Sequence, residues 1–485
     1  MTPRGRDELS RASWLLTGGR AMALAATFFI PMVLARVFSA EAFGTYKQIF
    51  LVYYTLFLVA PFGMAESLFY FLPSASGRAG AFVANATGSL ALAGAAAGCG
   101  LLAAAGPTAR LVGNPGLETH VPLLALLVAL SIASAPLEIV LIARGRNLAA
   151  ALAYGLSDIA RAVGLVLPAL IWHSLDALLL GAVVYAGLRL GATLAIYVRE
   201  FGATLRPGRA AFVAQLAYVA PFGAAVIVDT LQANLHMFVV AHRVDPATYA
   251  VYAVGCLQLP LVDLIAGPAG NVMMVRMREG LEAVDREAVL SCWRDTMTRI
   301  AAFVVPLTVG LLVLAPSLIE VLFTARYRAS VPIFVVWTTS LAFAVFQTDG
   351  VLRVLGQTRL IFGLSVLKLV IVAVSIGPLL GAIGLPGAAL SALTATLVAK
   401  LAALHVIRRR LSLSLPDLLP WRDLARTTAI AVAAAVPVML ARELLPPSPA
   451  VGLVAGALAF AAVWLALQVG LRPRVVRPCA ESPEF

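Results

Sequence analysis

Apolar residues in this chain come in runs of about 20, separated by short polar and basic stretches. A helix of that length crosses roughly 30 Å of hydrocarbon at about 1.5 Å per residue. Read in order, the runs predict about fourteen spans, numbered 1 to 14 along the chain. Spans 1 to 7 cover 14–38, 43–71, 81–105, 121–143, 148–171, 177–198 and 211–242. Spans 8 to 14 cover 247–275, 298–322, 331–354, 360–380, 385–407, 427–445 and 450–471. The first run is too long for a cleaved signal peptide, so span 1 is expected to be retained. The fold class is therefore all-α, a polytopic membrane protein. Of the pieces outside the spans, 276–297 and 408–426 are the longest, and neither can make a folded domain. The first sets Leu281, Val284, Val289 and Trp293 among Arg278, Glu282, Asp285 and Arg286, which reads as an amphipathic helix on the membrane surface or a plain connector.

Composition agrees with the pattern. Of 485 residues, 61% are hydrophobic and 12% charged, with a mean hydropathy of +0.94, which excludes a soluble globular fold. The net charge of +12 would suggest nucleic acid in a soluble protein. Here the arginines fill the short connections, so the charge is a topology signal and nucleic acid is not a partner. With the N-terminus inside, the inner connections hold about four times as many arginines as the outer ones, which carry Arg36, Arg110, Arg243, Arg326, Arg328 and Arg442. Both termini are then cytoplasmic.

An internal repeat shows on sliding the chain against itself. Leu34, Ala35, Ser39, Phe43 and Tyr46 fall on Val240, Ala241, Asp245, Tyr249 and Tyr252 without a gap. Val121 and Pro122 then fall on Val331 and Pro332, and Val140, Leu141 and Gly145 on Val351, Leu352 and Gly356. The implied organisation is an N-terminal lobe 1–200 (spans 1 to 6), a C-terminal lobe 201–410 (spans 7 to 12) and an appendage 411–485 with spans 13 and 14. One further match, Val59-Ala60-Pro61-Phe62-Gly63 with Val219-Ala220-Pro221-Phe222-Gly223, lies on spans of opposite direction and is read as coincidence.

Motifs for chemistry are missing. There is no phosphate-binding glycine loop for an ATPase and no paired cysteine or histidine spacing for a metal or a disulfide; Cys99, Cys256, Cys292 and Cys479 stand far apart. No cofactor, metal or enzymatic activity is expected. The informative positions are polar residues inside spans, where a central charge costs about 2.5 to 3.5 kcal/mol on insertion scales and should face a cavity or a partner. They are Arg20, Glu66, Glu138, Asp158, Arg161, Arg189, Asp229, Gln232, His236, Asp263, Asp349, Lys368 and Lys400. Asp229, Gln232 and His236 form one stripe on span 7, lining water or making an interhelical seam. Asp158 and Arg161 are placed to neutralise each other. Lys368 and Lys400 either meet an anion or snorkel to the membrane face. Mid-span prolines 31, 61, 136, 168, 221, 260, 306 and 437 are expected to bend their helices.

Two turns carry a resemblance. The stretch from Leu34 through Ser39-Ala40-Glu41-Ala42-Phe43-Gly44 to Tyr46, and Leu322-Phe323-Thr324-Ala325-Arg326-Tyr327-Arg328-Ala329-Ser330-Val331-Pro332, resemble the corresponding turns of bacterial polysaccharide repeat-unit flippases. Those flippases belong to the multidrug/oligosaccharidyl-lipid/polysaccharide exporter superfamily. The resemblance implies two six-helix lobes, alternating access through a cavity lined mainly by spans 1, 2, 7 and 8, and residence in the bacterial cytoplasmic (inner) membrane. The implied cargo is an undecaprenyl-diphosphate-linked oligosaccharide for exopolysaccharide, capsule or O-antigen assembly, flanked by membrane lipid and by polysaccharide polymerase and assembly proteins. Arg20, Arg161, Arg189, Lys368 and Lys400 are the cations available to its diphosphate. Glu66, Asp229, Gln232, His236 and Asp263 complete the expected cavity set, and the acids would serve proton or sodium coupling. The alternatives are a cation-coupled multidrug antiporter of the same superfamily and a membrane polymerase or ligase acting on lipid-linked sugars.

Overall fold

The computed structural model describes residues 28–75, 77–440 and 448–470, and for Asp263 and Gly470 the backbone alone. Arg20 lies outside the described residues. Every described residue in regular structure is helical, and eleven helices are long and apolar enough to cross a membrane. The chain is a multi-pass membrane protein.

Spans 2 to 14 each have their helix and span 1 is described only as Phe28–Val37, but several spans are broken. Span 2 runs as Ala40–Val59, turns irregularly through 60–66 and resumes as Ser67–Phe71. Span 4 is Val121–Ala133 and Leu137–Ala143, span 8 is Pro246–Gly255 and Leu261–Glu282, and span 10 is Val331–Thr339, a 3-10 segment Ser340–Phe346 and Thr348–Val354. Pro61, Pro136 and Pro260 sit at three of these breaks, where a missing N–H and a ring against the preceding turn stop the hydrogen-bond ladder. Pro168, Pro221, Pro306 and Pro437 stay inside continuous helices. Proline alone therefore does not decide where a span breaks.

The expectation of a surface helix over 276–297 is corrected. Leu261–Glu282 and Arg286–Phe323 are two long helices meeting at a three-residue turn, and Asp285 caps the second by accepting from the Ala288 N–H at 2.9 Å. Val289 and Trp293 are fully buried, and the indole donates to the Phe346 carbonyl at 3.1 Å. Val289 and Trp293 face protein because their helix continues as span 9, while Val284, in the turn, is exposed.

The backbone repeats with the sequence. Positive φ angles recur about 210 residues apart, at Gly77 and Val284, Gly113 and Thr324, Gly145 and Gly356, His173 and Gly384, and Gly202 and Ser412. The 3-10 turn Pro115–His120 recurs as Ala325–Ser330, and Asn147–Trp172 recurs as Thr358–Ile383 with the same 26 residues. A side chain at positive φ is costly for most residues, so these five shared positions are the backbone counterpart of the sequence repeat. Among the described residues Phe62, Gly63 and Gln347 have no counterpart, and all three sit at span breaks.

Two compact units follow from the packing. The first holds the described residues up to Val254 with Phe362–Ala395. In it span 3 lies on span 4, with Gly94 and Gly98 so close to the carbonyls of Ala129 and Ala125 that an added Cβ would stand 2.7 and 2.9 Å from them. Small residues of this kind let membrane helices approach where no hydrophobic force drives them together. The second unit holds Gly255–Ile361 and the described residues from Thr396. Its hub is span 9, against which spans 13 (Trp421–Leu440) and 14 (Pro449–Gly470) pack through Ala434, Ala435, Val438 and Phe460.

Candidate functional site

In the first unit span 7 is a continuous helix, Arg209–Arg243. Its polar stripe divides. His236 is buried and its Nδ1 is 2.7 Å from the Tyr252 hydroxyl, a seam within the protein. Asp229 is exposed and accepts from Gln232 Nε2 and from Ser365 Oγ, each at 3.3 Å. Asn234 Nδ2, on the same helix, donates to Thr55 Oγ1 at 3.2 Å.

Ser365 lies on span 11, Thr358–Ile383, and Lys368 follows it by three residues, which sets the two on neighbouring positions of one helical face. Lys368 is half-buried, and within its unit no described residue forms a hydrogen bond or ion pair with it. The other candidate cations are neutralised. Arg161 pairs with Asp158 at 2.7 Å, with Tyr53, Tyr54 and Tyr185 in electrostatic reach of the guanidinium. Arg189 pairs with Glu138 at 2.8 Å and also donates to the Tyr185 hydroxyl. In the second unit Lys400 donates to Thr348 Oγ1 at 2.9 Å and pairs with Asp349 at 3.3 Å. Glu66 is exposed where span 2 resumes, and Asp263 is placed only by its backbone, in the first turn of Leu261–Glu282.

The structure thus brings Asp229, Gln232 and, one turn from the Ser365 that donates to Asp229, Lys368 to one region of the first unit. It leaves Arg161, Arg189 and His236 as parts of local networks. Ser365, Asn234, Thr55 and Tyr252 do not stand out in the sequence: an isolated serine or tyrosine in an apolar run gives no signal until its partner helix is known. An unpaired cation one helical turn from Ser365 has the chemistry to hold an anionic oxygen, and Asp229 has that to take a proton, a cation or a hydroxyl. Among the described residues no group of three or more His, Cys, Asp or Glu side chains is placed to hold a metal ion.

Comparison with known proteins adds the family. No curated protein matches the chain. Among solved structures it is similar to a lipid II flippase, MurJ, in an inward closed conformation, with 16% identity, TM-score 0.72, and 93% of this chain and 98% of that one covered. It is also similar to an inward-facing multidrug resistance MATE family transporter of the MOP superfamily, with 14% identity, TM-score 0.62, and coverage of 80% and 94%. The Vibrio cholerae MATE transporter VcmN matches at 14% identity and TM-score 0.59, covering 84% of this chain and 97% of that one. These are a flippase and transporters, not enzymes, and at such identities they establish a shared fold. The family model described as polysaccharide biosynthesis protein matches residues 33–332, well over half of the chain, and the chain belongs to that family.

Proposed function

We propose that the protein is a flippase that moves an undecaprenyl-diphosphate-linked oligosaccharide from the inner to the outer leaflet of the bacterial cytoplasmic membrane by alternating access, supplying exopolysaccharide, capsule or O-antigen assembly. The observation that carries this reading is Lys368, a cation inside an apolar span with no counter-ion among the described residues of its unit. An uncompensated charge there is expensive unless an anion visits it, and a diphosphate is such an anion. Membership of a polysaccharide biosynthesis family and the MurJ-like fold support the same cargo class. Both termini are cytoplasmic in this reading, and Arg20 is an auxiliary cation.

The exposed Asp229 favours a second reading, a cation-coupled multidrug antiporter, because a carboxylate in an apolar span suits a proton or sodium ion. A deletion strain separates the two. The expected result is loss of surface polysaccharide with the lipid-linked repeat unit held on the cytoplasmic face. Accumulation outside would point to polymerase or ligase chemistry, and unchanged polysaccharide with raised drug sensitivity would favour the antiporter. On complementation, Lys368→Ala should lower export at least about 10-fold at normal membrane abundance and Lys368→Arg should retain most of it. Full export by Lys368→Ala removes the basis of the proposal.

A further inference from the structure

The two copies of Val-Ala-Pro-Phe-Gly, a coincidence as far as the sequence goes, face each other in the first unit. A Cβ on Gly223 would lie 2.6 Å from the carbonyl oxygen of Phe62 and 2.7 Å from its ring, and a Cβ on Gly63 would lie 2.7 Å from the ring of Phe222. Each phenylalanine occupies the notch left by the glycine of the other copy. Because the helices are antiparallel, one short motif serves both sides, as a self-complementary patch does across a two-fold interface.

The contact lies where both backbones are weakest. On span 2 it falls in the break 60–66, with Phe62 at φ 50° and Gly63 at φ 76°, and left-handed φ is disfavoured for an aromatic residue. On span 7 it falls at Pro221, which removes a helical hydrogen bond. Next to it Gln215 Nε2 donates to Ser67 Oγ at 3.0 Å, and the rings of Tyr70 and Tyr218 stack at 4.5 Å while both stay about half exposed. A second clamp holds the far end of the seam through the flanking turns. Gly44, at the start of span 2, lies directly against the Pro246 carbonyl at the start of span 8, and a Cβ on Gly113, in the turn between spans 3 and 4, would stand 2.8 Å from the Ala241 carbonyl of span 7. Between the clamps Asn234 donates across the seam to Thr55.

A seam pinned at its two ends, with a bendable point on each helix at one pin, is built to part at that pin without either helix unfolding. No hydrogen bond or ion pair links the phenylalanines to the glycines, so parting at this pin gives up one side-chain hydrogen bond between the two spans, Gln215 to Ser67, whose groups water can satisfy once the seam opens. We propose that the paired pentapeptides are a latch on the seam between spans 2 and 7, closed in this structure and released at the Arg209 end of span 7 once per transport cycle. The proposal rests on the chain being a transporter, and not on which cargo it moves.

The test places Tyr70→Cys and Tyr218→Cys in a chain whose Cys99, Cys256, Cys292 and Cys479 are replaced by alanine, and compares one preparation oxidised and reduced. Transport, read as polysaccharide export or drug efflux according to what the parent chain performs, should fall at least about 10-fold on oxidation and return on reduction. A cross-linked protein that transports normally shows a permanently closed contact and overturns the latch, while the flippase reading stands or falls on the deletion strain. Should the disulfide not form, a short bis-maleimide serves as the cross-linker. As an independent check, Tyr70→Cys is introduced alone into the same cysteine-free chain. Adding Gly223→Ala should hold the latch open and raise labelling of that single thiol by a membrane-impermeant maleimide at least about threefold. Unchanged labelling would count against the proposal.

Discussion

Removing Arg189 should damage stability, whereas removing Lys368 should damage transport alone. Glu138 is 5% exposed and Arg189 19%, with 2.8 Å between Arg189 Nη2 and Glu138 Oε2. The other oxygen, Glu138 Oε1, is buried with no hydrogen-bond partner. With charge centres about 4 Å apart and an effective dielectric near 20, the pair attracts by about 4 kcal/mol, most of which offsets the cost of taking both charges out of water. Arg189→Ala strands the carboxylate and should cost about 3 to 5 kcal/mol, the range for breaking a buried pair. Glu138→Gln leaves a guanidinium that is partly exposed and holds the Tyr185 hydroxyl, so its cost should be nearer 1 to 2 kcal/mol. The double variant should be more stable than Arg189→Ala alone, with a coupling of about 2 kcal/mol. The assay is denaturant unfolding in detergent, following the tryptophans, for the four members of the cycle. Additive single effects, or Arg189→Ala as stable as the parent, would refute the reasoning that burial makes this pair matter.

Two further outcomes follow from the geometry. Gly44→Ala sets a methyl group into the Pro246 carbonyl and should destabilise by about 1 to 3 kcal/mol, as overpacking does, whereas Gly88→Ala, in open space within Ala79–Ala103, should be neutral or stabilising by up to about 1 kcal/mol; midpoints from thermal unfolding in detergent compare them. Asp245 lies in the turn before Pro246–Gly255, outside the spans, and accepts from the Thr248 N–H at 3.0 Å and hydroxyl at 2.6 Å, which holds its carboxyl below the usual aspartate range. A depressed folded pKa gives stability that is complete above the ordinary aspartate value and is lost as pH falls through the folded one. Asp245→Asn should remove that component of the acid dependence while keeping the turn, and an unaltered pH profile of unfolding below the aspartate range would contradict the assignment.

The sequence by itself determined the all-helical membrane class, the order and approximate limits of the helices and the internal repeat. Insertion depends on the apolarity of each segment taken alone, and a repeat is visible wherever two copies can be laid on one another. Left-handed positions such as Gly145 and Gly356 then recur because the same turn needs the same backbone. What only the tertiary structure decided is which faces meet. The spacing of Asp229, Gln232 and His236 was legible, but not that Asp229 stays exposed and Gln232 half-buried while His236 is sealed against Tyr252. The pairing of Arg161 with Asp158, three residues away, was legible, but only the fold shows that Arg189 and Lys400 meet acids from other helices while no described residue of its unit pairs with Lys368. The span 9 extension carrying Trp293 looked like a surface helix because amphipathicity shows a face without showing what covers it. The twin pentapeptides looked accidental for the same reason: their antiparallel directions ruled out a repeat, and only the fold shows that opposed directions are what let each phenylalanine reach the glycine of the other.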